Sequence, residues 1–306
     1  MTDAPWYVLG VGSVGTLWAC RLARAGLPVR LLLRNAARLG RYQQGPGLRL
    51  IEGNCETGFA LPAQTADAPG PIQRLLVACK AYDAEAAVAS VRHRLSNGAQ
   101  VVLLQNGLGS QQAVASLLPK AEVIFASTTE GAWARPDGAV VFAGQGLTWL
   151  GTPQSGPAPV WLDDLTRAAI PHQWTTDILM RLWRKLAINC AINPLTVLDQ
   201  CPNGGLRAHP RTLAVVCQEL EVLLHAVGQP TAACGLAEDV ERVIEATAEN
   251  YSSMYQDVAA GRRTEVHYLI GYACAQARQA GTPVPALDAL HKALLAKLRT
   301  LGLPTG

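Results

Sequence analysis

Three glycines near the amino terminus constrain this chain more than any other feature. In WYVLGVGSVGTLWACRLARAGLPVRLLLR (6–34) a short apolar run meets Gly10, Gly12 and Gly15 in G-x-G-x-x-G spacing. An amphipathic stretch then reaches Gly26, and a second apolar run closes the unit. The order predicts strand, glycine loop, helix and parallel strand, the opening of a Rossmann-type doubly wound sheet. Each glycine has a mechanical reason: Gly10 permits the tight turn, Gly12 lets the backbone approach a pyrophosphate, and Gly15 lets the helix lie close to the sheet. Ser13 and Val14 open that helix, whose free N–H groups face the phosphates.

The end of the second strand bears on which dinucleotide fits. A site selective for NAD carries an Asp or Glu about 20 residues beyond the glycines, to hold the ribose 2′-hydroxyl. Here the place has Arg34, with Arg38 and Arg41 following and no acid nearby. A guanidinium pairs with a 2′-phosphate through two hydrogen bonds where a carboxylate repels it, so the expected cofactor is NADP. Arg38 and Arg41 read equally well as a solvated basic loop. Farther on, RLLVACK (74–80) and AQVVLLQN (99–106) are apolar runs that end in polar residues. They suit central parallel strands, which places Lys80 and Asn106 beyond carboxyl ends, where ligands of such sheets bind. Lys80 also reads as a surface lysine, and Asn106, before Gly107 and Gly109, as a turn residue. EVIFASTTEGAWA, GAVVFAG and LTWLG (about 120–151) predict three more strands, with a Pro136-Asp137-Gly138 turn between the first two, and a short helix follows over 160–170.

Composition narrows the function classes. With 26 basic and 23 acidic residues mixed along 306 positions, the net charge of +3 is too small and scattered for a nucleic-acid footprint. The eight cysteines show no CxxC pair and no histidine cluster, so no metal site is expected, and those in apolar stretches read as buried thiols. There is no charged-then-apolar leader and no unbroken apolar stretch of about 18 residues, so neither a signal peptide nor a membrane span is expected and the cytoplasm is the default.

After about residue 173 the texture turns to helical periodicity, which predicts a domain over 1–172 and an all-helical domain over 173–306. Helices are expected near 177–200 with Asp177 as cap, 210–228, 236–251, 264–280 and 285–300, with Gly228 and Gly281 as stops. In the first, Lys185, Asn189 and Asn193 stand at i, i+4 and i+8 and stack on one face, turned either to water or to a ligand. Pro194 has no N–H, so the helix is expected to bend or end near Asn193. ATAENYSSMYQD (246–257) runs into Asn250, Ser252 and Ser253, residues that interrupt helices. In RRTEV, Thr264 reads as an N-cap and Glu265 as the first helical residue, where a carboxylate complements the helix dipole.

GVGSVG, LWRKLAINCAINPLT followed by CPNG, and ATAENYSSM followed by the TE of RRTEV occur in that order, and together the chain resembles the ketopantoate reductase (2-dehydropantoate 2-reductase) family over essentially its whole length. The resemblance implies an NADPH-dependent reductase of a small 2-oxo acid, ketopantoate in the first place, with reduction of another branched 2-oxo acid as the alternative and a non-catalytic NADPH sensor as a more distant one. It further implies Lys185 as proton donor and Glu265 as its partner and a substrate ligand. Asn189, Asn193 and Asn203 would line the substrate site, and Ser253 would hold the substrate carboxylate. Lys80 and Asn106 would stand at the cofactor and substrate cleft, and Arg34 at the 2′-phosphate. The apolar helices of the second domain fit a core or a dimer interface equally, so a homodimer stays open.

Overall fold

The computed structural model of the chain describes residues 4–305. It divides into two compact units: one runs up to Ile178, apart from Asn106–Gly109, and the other holds Asn106–Gly109 and everything from Leu179 on. In the first unit, β1 (Trp6–Leu9), α1 (Ser13–Arg24), β2 (Val29–Leu32) and α2 (Ala36–Gln44) form the glycine-loop unit and its continuation. A hairpin of β3 (Leu48–Glu52) and β4 (Cys55–Phe59), then β5 (Ala63–Gln64), lead to β6 (Ile72–Val77), α3 (Ala81–Val91), β7 (Leu95–Leu103) and α4 (Ser110–Leu117). The unit finishes with β8 (Glu122–Thr128), β9 (Gly131–Ala134), β10 (Val140–Gly144), β11 (Thr148–Gly151), α5 (Leu162–Arg167) and β12 (His172–Trp174).

Eight of these strands form one sheet in the order β12-β11-β8-β7-β6-β1-β2-β5. From β5 to β8 neighbours run parallel, whereas β11 is antiparallel to β8 and parallel to β12. The chain leaves β1 toward β2 on one side and returns to β6 on the other, so the carboxyl end of β1 is a topological switch point, where this class of sheet binds ligands.

A second sheet, β4-β3-β10-β9, was only half legible in the sequence. The β3–β4 hairpin went unread because its outer strand is almost wholly exposed and shows no apolar run. EVIFASTTEGAWA is two strands rather than one: it breaks at Thr129 and Glu130, sending β8 into the large sheet and β9 into the small one. Glu130 explains the break, since it is buried and ion-paired to Arg21 of α1. Arg21 also reaches Glu52 of β3 at 3.3 Å and stacks its guanidinium 4.5 Å from the Phe142 ring of β10. Helix α1 is thereby held to the small sheet, and one apolar core joins Val8 of β1, Leu17 and Cys20 of α1, and Leu50 and Val140 of the small sheet. Burial holds the Glu130 carboxyl above its ordinary value although Arg21 pulls it down, so the ion pair offsets only part of the desolvation.

The second unit is helical: α6 (Ile178–Asp199), α7 (Pro210–Ala226), α8 (Pro230–Ala233), α9 (Leu236–Ala246), α10 (Ser253–Ala259), α11 (Ile270–Gln279) and α12 (Pro285–Thr300). Gly228 and Gly281, at φ +74° and +65°, follow α7 and α11 as C-terminal left-handed residues. The sequence-predicted helix over 236–251 stops at Ala246, and the one over 264–280 is a 3-10 turn, Val266–Tyr268, followed by α11. Thr264 therefore caps no α-helix, and Glu265 precedes the 3-10 turn. The Tyr268 carbonyl accepts from the Leu108 N–H at 2.9 Å, so it faces the Asn106–Gly109 segment.

Candidate functional site

At the carboxyl end of β1, Gly10 has φ +101°, and a Cβ there would lie 2.3 Å from the backbone nitrogen of Cys79. A Cβ on Gly15 would lie 2.0 Å from the Gly10 carbonyl oxygen, so α1 depends on its absence to approach the loop. Gly12 differs: a Cβ there meets no protein atom within 4 Å, which leaves its surface clear for a ligand. Gly12 is the N-cap residue of α1, with Ser13 and Val14 in its first turn, and no side chain caps the helix. The orphan N–H groups and open backbone fit a pyrophosphate. Arg34 is exposed just past β2, which pairs in register with β1 through Leu9 and Leu32. Asn35 caps α2 by accepting from the Arg38 N–H at 2.9 Å, which fixes the turn carrying Arg34. Lys80 is the N-cap residue of α3, just beyond β6. The glycines, Arg34 and Lys80 thus lie at the same edge of three adjacent strands.

The second cluster is built on α6. Lys185, Asn189 and Asn193 share one face of that helix, as their spacing predicts. The helix does not end at Pro194 but runs to Asp199, buried along most of its length. Pro194 leaves the Cys190 carbonyl without its usual helical N–H partner, yet the helix continues under tertiary packing, and one turn on the Thr196 hydroxyl donates back to the Asn193 carbonyl at 2.8 Å. Beside Lys185, Arg184 anchors the helix: its Nε donates to Asp239 at 2.8 Å, and its terminal nitrogens donate to the carbonyls of Ala232 at 2.7 Å and Gly235 at 2.8 Å.

The Lys185 ammonium donates to Asn106 Oδ1 at 2.8 Å. Asn106 owes its position to two glycines: a Cβ on Gly107 would lie 2.1 Å from the Tyr268 carbonyl oxygen, and one on Gly109 would lie 3.1 Å from the Tyr272 ring. Burial lowers the Lys185 pKa from 10.5 to about 8, and the Glu265 carboxylate opposes that shift. Lys185, Asn106 and Glu265 are thus brought to one place. Asn203 opens a 3-10 helix, Asn203–Ala208, and its amide donates to Thr247 Oγ1 at 2.8 Å while its backbone N–H is held by Asn250. Its Oδ1 is buried without a partner among the described residues. Ser253 is exposed at the first position of α10, and the buried Ser252 before it caps that helix by accepting from the Tyr255 N–H. Sequence reading missed Thr196, Thr247 and the Tyr268 carbonyl, whose contacts come from chain segments far apart in sequence.

Such an arrangement can hold a dinucleotide on the first unit and, on the second, supply a proton from an ammonium of lowered pKa. Among the described residues no group of three or more His, Cys, Asp or Glu side chains could hold a metal ion, and no helix is long and apolar enough to cross a membrane. Fold and site together define a two-unit, dinucleotide-dependent oxidoreductase. The family model described as ketopantoate reductase PanE/ApbA matches residues 6–155, and its C-terminal companion matches residues 177–298. The chain belongs to the ketopantoate reductase family. It is similar to the 2-dehydropantoate 2-reductase of Vibrio cholerae, 35% identical over 93% of this chain and 95% of that one, and to that of Shigella flexneri, 34% identical over 91% and 90%. Among solved structures, a PanE/ApbA family ketopantoate reductase from Ralstonia eutropha superposes with a TM-score of 0.87 at 26% identity, covering 97% of this chain and 99% of that one.

Proposed function

We propose that this enzyme reduces 2-dehydropantoate (ketopantoate) to pantoate with NADPH, the reduction that serves pantothenate and coenzyme A biosynthesis. The relatives at 34–35% identity carry that name along nearly their whole length. The observation that carries the reading is the Lys185–Asn106 hydrogen bond beside Glu265, with the lysine pKa lowered to about 8. The glycine loop, with Gly10, Gly12, Ser13, Val14 and Gly15, would hold the pyrophosphate, Arg34 the 2′-phosphate, and Lys80 would contact the cofactor. When bound, the nicotinamide supplies a hydride to the substrate C2.

As the ketone becomes an alkoxide, its oxygen needs a proton. Lys185 donates one from Nζ and regains it from solvent; with a pKa of about 8 it is about nine-tenths charged at pH 7, yet a better acid than a free lysine. Glu265 keeps it charged, and Asn106 aims it by accepting one of its three N–H groups. Asn189, Asn193 and Asn203 offer neutral donors and acceptors to hydroxyl and carbonyl groups, and Ser253 donates to the carboxylate.

Absorbance at 340 nm with ketopantoate, run with NADPH beside NADH and with a panel of other 2-oxo acids, tests this. Turnover selective for NADPH and ketopantoate is expected. Turnover of a different 2-oxo acid alone would overturn the substrate, and NADPH binding without any turnover would favour a sensor.

A further inference from the structure

Three hydroxyl and carbonyl groups lie in a buried chain between α6 and α10. Thr196 Oγ1 donates to the Asn193 carbonyl at 2.8 Å, Thr196 Oγ1 and Ser252 Oγ are 2.7 Å apart, and Ser252 Oγ accepts from the Tyr255 N–H at 3.1 Å. A hydroxyl has one proton to give. Since that of Thr196 goes to Asn193, Ser252 must donate to Thr196. The direction of the chain is therefore fixed from Tyr255 N–H through Ser252 and Thr196 to the Asn193 carbonyl, with every hydroxyl proton used. Thr196 is fully buried and Asn193 and Ser252 nearly so. In such surroundings a missing partner leaves an unsatisfied polar group, which makes the geometry stiff.

Both ends of the chain adjoin residues assigned above to the substrate. Asn193 is itself one of them, and its carbonyl is the acceptor at the end of the chain. Ser253 follows Ser252 directly, and it is exposed where Ser252 is buried. We infer that Thr196 and Ser252 are positioning residues that set the spacing between Asn193 and Ser253, and so the fit of the substrate carboxylate and its flanking groups. The inference rests on the reading of Ser253 as the carboxylate ligand. Neither hydroxyl touches substrate, and the carboxylate keeps its charge throughout the reduction. Loosening the chain should therefore weaken ground-state and transition-state binding alike, a change seen in KM rather than kcat.

Thr196→Val keeps the shape and removes the hydroxyl; Thr196→Ser keeps the hydroxyl. With saturating NADPH, Thr196→Val is expected to raise KM for the 2-oxo acid about ten-fold while kcat stays within about two-fold, and Thr196→Ser to restore most of the loss. Ser252→Ala is expected to raise KM similarly, and the double variant with Thr196→Val to be no worse than the poorer single one, because both break the same chain. An unchanged KM in Thr196→Val, a fall in kcat instead, or additive losses in the double variant would overturn the inference. The wild type is measured first: if it reduces another 2-oxo acid rather than ketopantoate, the substrate reading fails alone and the variants are compared on that acid. Circular dichroism melts keep a folding defect separate, and should Ser252→Ala fail to fold, the Thr196 pair decides.

Discussion

At the scale of single residues, the proposed chemistry turns on Lys185, which burial and Glu265 pull in opposite directions. Replacing Lys185 by Ala removes the proposed proton donor, and kcat is expected to fall about 10²- to 10⁴-fold. Unchanged turnover would take Lys185 out of the reaction. The pH dependence follows from the direction of the shift. Ketone reduction needs the protonated amine, so kcat/KM is expected to decline as pH rises through about 8, whereas alcohol oxidation needs the neutral amine and should rise through the same value. Glu265 raises the lysine pKa, so in Glu265→Gln the limb for reduction should move to lower pH. A limb that stays in place would mean that Glu265 does not act through the lysine. Asn106 completes the trio, but its reading as a turn residue was also right in part: Gly107 and Gly109 form a left-handed turn at φ +78° and +100°, and that turn presents the asparagine to Lys185.

At the scale of elements, the three glycines of the loop do different work, and a methyl group tells them apart. Gly15→Ala sets a Cβ against the Gly10 carbonyl at 2.0 Å, so α1 must shift, at a cost of about 1–3 kcal/mol in stability. Gly12→Ala meets no protein atom within 4 Å and has an ordinary φ of −91°. It should melt with the wild type while losing dinucleotide affinity. Equal thermal losses in the two variants, with affinity intact in Gly12→Ala, would reject the loop as the cofactor site. Helix α6 shows the converse case, in which packing outweighs local propensity. A proline inside a helix costs about 3 kcal/mol or more, yet α6 continues, held by the buried side chains on both sides of Pro194 and by the Arg184 clamp one residue from the lysine.

At the scale of the whole molecule, the glycine loop and Arg34 proposed for the cofactor and the Lys185 proposed for the proton fall on different units, so binding and chemistry should separate in variants. At NADPH one hundred times its Kd, the cofactor is expected to add about 2.7 kcal/mol to the stability of the wild type and of Lys185→Ala alike. Arg34→Ala should weaken NADPH binding by about 1.5–3 kcal/mol, the range for hydrogen bonds to a charged group, and leave NADH binding unchanged. Calorimetric titration of both cofactors against the three proteins checks this. Equal losses for NADPH and NADH in Arg34→Ala would remove the 2′-phosphate role.

The sequence by itself determined whatever repeats with a local period or depends on a few neighbouring residues. The glycine loop, the apolar strands ending at Lys80 and before Asn106, the polar face of α6 and the change to helices all follow from spacing within one or two turns or strands, where geometry is fixed by the backbone. Only the tertiary structure decided the rest. The split at Glu130 goes with its ion pair to Arg21, over a hundred residues away; the continuation through Pro194 goes with burial; and the 3-10 turn after Glu265 gives its Tyr268 carbonyl to the Leu108 N–H, far away in sequence. The lowered pKa of Lys185 belongs with these, because desolvation comes from all the chain that packs around the amine and not from its neighbours in sequence.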